Sequence, residues 1–295
     1  MEIKKQMLDA LKHRKPDHFN FYTPYIFEGI DVGKIRSMIG YPSIDLSCNI
    51  KEEIINVNGV ICHRYYKTQN TKYVLFNIHG GGFYGGGTKV VENNSKYIAT
   101  HDIHVISIEY TLAPKLQFPN IMYQIYDVIK YFANDYKDCK FGIIGDSAGG
   151  HLALNTVCID VNKYISFLGL YYPVISLESK KNINTENLGE NAKASIMFLK
   201  SIMPLITKLY LPKEYDKSSL YYNALNMDYL YPKTVIFKAQ IDYFNDEIEK
   251  FSKKFNVKTY SYTGLSHGFM ELLGYLDEVK EVLDVTIKHF KGENV

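Results

Sequence analysis

Ser147 lies among small residues in Gly145-Asp146-Ser147-Ala148-Gly149, and well upstream the chain reads His79-Gly80-Gly81-Gly82-Phe83. The first stretch fits G-x-S-x-G, a serine perched on a tight strand-to-helix turn whose crowded backbone needs small neighbours. The second is a glycine run after a strand, able to aim bare backbone N–H groups at developing negative charge. A nucleophile and a seat for an oxyanion are what acyl transfer requires. By composition, G-x-S-x-G arises in roughly one chain in ten of this length and His-Gly-Gly-Gly in about a few per thousand. The joint occurrence, at strand ends and in this order, therefore carries the argument.

A serine hydroxyl is a poor nucleophile until a base takes its proton. Of nine histidines, His267 in Gly264-Leu265-Ser266-His267-Gly268-Phe269 comes just past the last predicted strand, at the catalytic edge. The others are placed elsewhere. His13 and His18 precede the core, His63 is on an early strand, and His101 and His104 flank a strand entrance. His151 and His289 are on helices. The orienting carboxylate should follow the penultimate strand, giving the order serine, acid, histidine. Asp242 is the choice. Asp246 and Glu247 read as first-turn residues of the next helix, where acids meet the dipole favourably.

These residues need a scaffold. Short apolar runs bounded by turn residues predict strands at 54–57, 60–66, 73–79, 104–109, 141–146, 165–172, 234–240 and 257–262. Several are almost continuously apolar, as suits strands of a parallel sheet buried on both faces. Asn58-Gly59 predicts a two-residue hairpin, so the first two strands should be antiparallel. Amphipathic helices alternate with the strands. One stripe is Ile121, Ile125, Val128, Ile129 and Phe132 after Pro119, and another is Leu276, Val279, Leu283, Ile287 and Phe290.

Two stretches break the alternation. Residues 1–50 carry no strand signal. Residues 176–230 begin polar, then give a helix through Ile196, Leu199, Met203, Ile206 and Leu209 that Pro204 should kink or bound. The second is placed to fold over the carboxyl edge of the sheet, where open α/β folds bind ligands. The expected layout is a core of 51–175 and 231–295 with a cap from 1–50 and 176–230.

The chain has 295 residues, 46% hydrophobic and 22% charged, which suits one large α/β domain. A net charge of +2 recommends no nucleic acid, and the Lys180-Lys181 pair reads as a solvated loop face. Cys48, Cys62, Cys139 and Cys158 are scattered without a C-x-x-C pair, against a disulfide framework or zinc site. The charged N-terminus has no signal-peptide core and no run is long enough to span a bilayer. The expectation is a cytoplasmic protein with no metal, organic cofactor, nucleic acid or membrane partner. A homodimer is left open.

The constellation resembles the hormone-sensitive-lipase-like branch of the α/β-hydrolase superfamily, which includes many bacterial carboxylesterases. The matching pieces are His79-Gly80-Gly81-Gly82, Tyr110-Thr111-Leu112-Ala113-Pro114, Gly145 through Gly150, Tyr171-Tyr172-Pro173, Asp242 with Asp246-Glu247, and His267-Gly268-Phe269. The resemblance implies a mostly parallel eight-stranded sheet with helices on both faces, a helical cap, and no cofactor. It implies that the oxyanion donors are the N–H groups of Gly81, Gly82 and Ala148, with His79 supporting the loop. Phe83 and Tyr84 beside that loop are expected as bulky substrate walls, with Tyr22 and Tyr25 adding to them. The expected reaction is hydrolysis of a small ester with a short acyl group.

The chain departs from the family where Thr111 and Lys115 replace an arginine and an acid, and where Tyr243 replaces a proline after Asp242. Rival readings remain. Gly80 through Gly85 also fits G-x-G-x-x-G with Glu109 at ribose distance, but a dinucleotide enzyme leaves Ser147 and His267 unexplained. A non-catalytic binding module on the same fold, or an amidase of the arylformamidase type, would carry the same residues.

Overall fold

A computed structural model describes residues 1–13, 23–37, 44, 46, 49–178, 183–230 and 232–294. His18, Tyr22, Cys48 and the Lys180-Lys181 pair lie outside the described residues. Eight strands form one sheet: β3 (Lys51–Val57), β4 (Val60–Tyr66), β5 (Tyr73–Ile78), β6 (His104–Glu109), β7 (Lys140–Asp146), β8 (Ile165–Tyr171), β9 (Lys233–Ile241) and β10 (Lys258–Ser266). Their order is β10-β9-β8-β7-β5-β6-β4-β3. The strands from β10 to β6 run parallel, and β4 is antiparallel to both β6 and β3. The β3–β4 turn uses left-handed backbone at Asn58 and Gly59, as the dipeptide requires. β3 starts earlier than its apolar run, because Lys51, Glu52 and Glu53 pair with Tyr66, Tyr65 and Arg64 at the sheet's edge, where exposed charge guards an open ladder.

Helices complete the layers: α3 (Glu92–Ala99), α4 (Asn120–Asp135), α5 (Ala148–Cys158), α7 (Asn245–Phe255) and α8 (Asp277–Lys291). Neighbouring residues of β7 show that both faces are covered, since successive side chains point to opposite sides. Phe141 meets Phe76, which meets Phe132 of α4, whereas Gly142 gives its space to Phe290 of α8. The apolar stripes read from the sequence for α4 and α8 are buried. α6 (Glu190–Tyr210) runs through Pro204 without ending there. Its buried stripe from Ala192 to Tyr210 holds the helix together across the missing N–H.

The N-terminal segment differs from its reading. After α1 (Lys5–Leu11) it forms a hairpin, β1 (Ile26–Phe27) with β2 (Ile30–Asp31), then α2 (Val32–Ser37). Two-residue strands are too short to show alternation, and only Glu28-Gly29, both left-handed, mark the turn. The Met1 ammonium donates to the Asn187 carbonyl (2.5 Å), and the Gly189 N–H donates back to Met1 (2.9 Å). Lys4 donates its N–H to Gly264 (2.8 Å) and pairs with Glu278. Among the described residues no helix is long and apolar enough to cross a membrane.

Candidate active site

Ser147, Asp242 and His267 each directly follow a strand, β7, β9 and β10. Parallel strands deliver all three to one edge of the sheet. There the Ser147 Oγ lies 2.7 Å from His267 Nε2, and His267 Nδ1 donates to Asp242 Oδ2 at 2.8 Å. The second Asp242 oxygen accepts the Phe244 N–H at 3.1 Å, which fixes the carboxylate plane. Asp246 instead occupies the first turn of α7.

The turn at Ser147 is strained. Its φ of 50° and ψ of −116° lie outside the regions a non-glycine residue prefers. Neighbouring bonds hold it: Ser147 N–H donates to Tyr171 (3.0 Å), and its carbonyl accepts Val174 N–H (3.1 Å) and His151 N–H (3.2 Å). Gly149 allows α5 to press against the end of β5, since a Cβ there would overlap the Ile78 carbonyl oxygen. The glycine loop leaves β5 beside this helix start. Gly81 and Gly82 have φ of 109° and 60°, and the loop is anchored by Gly80 N–H to Asp146 Oδ1 (2.8 Å) and by Gly85 N–H to the Gly81 carbonyl (2.9 Å). Ala148 opens α5, so its N–H has no partner within the helix.

His79 lies beneath the loop, stacked on Tyr110 at 4.3 Å with Nδ1 donating to Gly80 at 2.7 Å. Burial lowers its pKa and keeps it neutral, against the pull of Glu109. Phe83, expected at a substrate wall, is fully buried. Its ring stacks on Tyr210 at 3.8 Å and meets the His151 edge at 5.6 Å, sealing the loop against α5 and α6. Tyr84 is also buried, but its ring lies against Gly82, next to the expected oxyanion seat. Ile206 of α6 borders the same glycine. Tyr172 and Phe244 flank the His267 ring at 4.7 and 5.4 Å.

The electrostatics centre on buried carboxyls. Burial works against a protonated His267, yet the charge and hydrogen bond of Asp242, with Asp146 and Glu271 behind, hold its pKa above the ordinary value. Asp146 is itself pushed up to about 7 by burial and by Glu271, against the Gly80 hydrogen bond. It shares a cavity of about 10 Å³ with Glu271, Asn77, Asn94 and Tyr172. Sequence reasoning passed over Asp146, because as the variable residue of G-x-S-x-G it carries no mark of being the partner of Gly80. The other histidines are engaged elsewhere. His63 meets Glu52, His104 lies between Thr68 and Tyr136, and His289 meets Tyr260. His151 donates to Val174 and is driven down to about 4 by burial.

The fold is shared with known proteins. The solved structure of a Pyrobaculum calidifontis esterase superposes with a TM-score of 0.71 at 22% identity, over 82% of this chain and 84% of that one. Carboxyl esterase 2 of the fungus Tuber melanosporum gives 0.72 at 19%, over 85% and 88%. A mutant of the esterase E40 gives 0.79 at 17%, over 98% and 99%, so that likeness takes in the N-terminal segment too. At these identities the likeness is one of fold. A sequence model of the alpha/beta hydrolase fold matches residues 75–271, two thirds of the chain and the whole stretch from the glycine loop through His267. The chain belongs to the α/β-hydrolase fold family.

Proposed function

We propose that the protein is a serine carboxylesterase that hydrolyses small short-acyl esters through an acyl-enzyme. The observation that carries this is the continuous chain from Ser147 Oγ to His267 Nε2 and from His267 Nδ1 to Asp242, beside a glycine loop at the same sheet edge. His267 takes the Ser147 proton as Oγ attacks the ester carbonyl, and Asp242 holds the imidazole tautomer and stabilises the imidazolium. The N–H groups of Gly81, Gly82 and Ala148 receive the oxyanion. His267 then returns the proton to the leaving alcohol, which departs and leaves the acyl group on Ser147. Water enters, gives its proton to His267, and releases the acid with Ser147 restored.

Residues 1–50 and 176–230 act as a cap over this edge, a reading supported by the bonds of Met1 to Asn187 and Gly189 and by the packing of α6 on Phe83 and Gly82. Free thiols at Cys62, Cys139 and Cys158 suit a reducing cytoplasm. The test is a fluorophosphonate, which should add one label, placed on Ser147 by mass spectrometry of the digest. Ser147→Ala should lose on the order of 10⁶ in kcat on p-nitrophenyl butyrate, retaining what binding and the oxyanion seat supply. Labelling elsewhere, or full turnover by the variant, would sink the assignment. Matched ester and anilide substrates separate an esterase from an amidase directly.

A further inference from the structure

The proposed oxyanion donors sit on a loop that strain would relax. Phe83 follows Gly82 with a φ of 68°, unfavourable for a bulky residue, so the surroundings must impose it. Part of the restraint comes from the loop after β6, whose Ala113 N–H donates to the Phe83 carbonyl at 2.9 Å. A further restraint comes from outside the sheet, besides the stacking of Phe83 on Tyr210. Arg36, on the short helix α2, donates Nε to the Tyr84 carbonyl at 2.6 Å and Nη2 to the Ala113 carbonyl at 2.8 Å. One guanidinium therefore bridges the two loops that already share the Phe83–Ala113 bond. Only arginine presents two coplanar donors in a fixed fork, whereas a lysine ammonium is a point charge on a flexible stem.

The chain before Arg36 is built to deliver it. Val32 and Gly33 both donate to the Tyr25 carbonyl, at 2.9 and 3.3 Å. A Cβ at Gly33 would overlap the Thr23 carbonyl oxygen, so the glycine sets how closely α2 approaches the chain just before β1. One turn later the Arg36 guanidinium stands 5.5 Å from the centre of the Tyr25 ring.

We infer that Arg36 is a positioning residue of the oxyanion seat, holding the Gly81 and Gly82 N–H groups in place through the carbonyls of Tyr84 and Ala113. It touches no reacting atom. The inference rests on the serine-esterase reading, so the wild-type protein is first assayed for ester turnover and for fluorophosphonate labelling of Ser147. Failure there would refute that reading and not this one. With both in hand, Arg36→Met removes the fork and keeps the stem, and Arg36→Lys keeps the charge and a single donor. Both are assayed well below their melting temperatures. A displacement of reacting groups by roughly 1 Å costs on the order of 10²-fold, so Arg36→Met should lose about that factor in kcat with KM little changed. The affinity of a trifluoromethyl ketone, which forms a tetrahedral adduct, should fall in step with kcat/KM. Arg36→Lys should recover part of the loss, and added methylguanidinium should rescue Arg36→Ala more than added methylammonium does. Wild-type kcat in the Met variant, a loss confined to KM, or activity that returns fully on cooling would overturn the inference. So would failure of both the Met and Lys variants to fold, since Arg36 would then be a structural residue only.

Discussion

At the scale of single residues, the geometry separates Asp242, the acid chosen from the sequence, from its neighbour Asp246. Asp242 leaves β9 directly and holds His267, while Asp246 belongs to a helix turn. Asp242→Asn should therefore cut kcat by roughly 10³–10⁴-fold by leaving the wrong imidazole tautomer, and Asp246→Asn should change it little. Equal losses in steady-state assays would contradict this order. The raised pKa of His267 has a sign that can be worked out. Attack needs the neutral ring, so kcat/KM should fall as pH drops through a value raised above that of a free imidazole. Asp146 contributes to that elevation, and Asp146→Asn keeps an oxygen for the Gly80 N–H while removing the charge. The acid limb of the variant's pH profile should move to lower pH, and an unmoved limb would remove Asp146 from the account. The same substitution has a stability signature. An acid whose folded pKa is raised to about 7 from 3.8 binds its proton more tightly when folded, so it costs stability progressively across that interval. Asp146→Asn should therefore gain stability above pH 7 relative to its effect below pH 3.8. Denaturant titrations at both pH values measure the difference.

At the scale of elements, the turn into α5 shows how little tolerance the site has. A Cβ on Gly149 would overlap the Ile78 carbonyl oxygen, a backbone atom that cannot rotate away. Gly149→Ala should cost on the order of 3 kcal/mol, read from denaturant unfolding, and a cost within experimental error would mean the helix can shift freely. The inner strands of the sheet were legible in the sequence because each carries enough apolar length to be buried, whereas the mostly exposed β3 was marked chiefly by the Asn58-Gly59 turn that follows it. That Ser147, Asp242 and His267 would meet at one sheet edge was legible because strand ends and small-residue turns mark their positions. The β1–β2 hairpin was not, since two residues a side show no period. Arg36 was not either, because its role depends on carbonyls of Tyr84 and Ala113, far along the chain, and backbone acceptors leave no mark in a sequence. Phe83 shows a third kind of limit. Its position beside the glycine loop was plain, but which side of the loop its ring takes is decided by Tyr210 of α6.

At the scale of the molecule, the cap reading makes the substrate space depend on the N-terminal segment and α6. The two are joined through Met1 with Asn187 and Gly189, and α6 reaches the glycine loop through Ile206 and Tyr210. Tyr84 and Ile206 lie against Gly82, and Tyr172 and Phe244 lie beside His267, so on the proposed chemistry bulky packed side chains border the reacting atoms. Each acyl methylene that fits such a space gains roughly 0.8 kcal/mol of apolar burial, about a fourfold gain in affinity. A methylene that does not fit must push these side chains off their rotamers, at a cost of about 1–3 kcal/mol, which outweighs the gain. The balance turns over once the pocket is full. Activity on p-nitrophenyl esters should therefore peak at about two to six acyl carbons by this packing argument and decline beyond them. Emulsified long-chain triglyceride should be a poor substrate. A kcat/KM that climbs steadily through long acyl chains, with activation at an oil–water interface, would show that the cap opens onto lipid and that the closed reading of this edge is wrong.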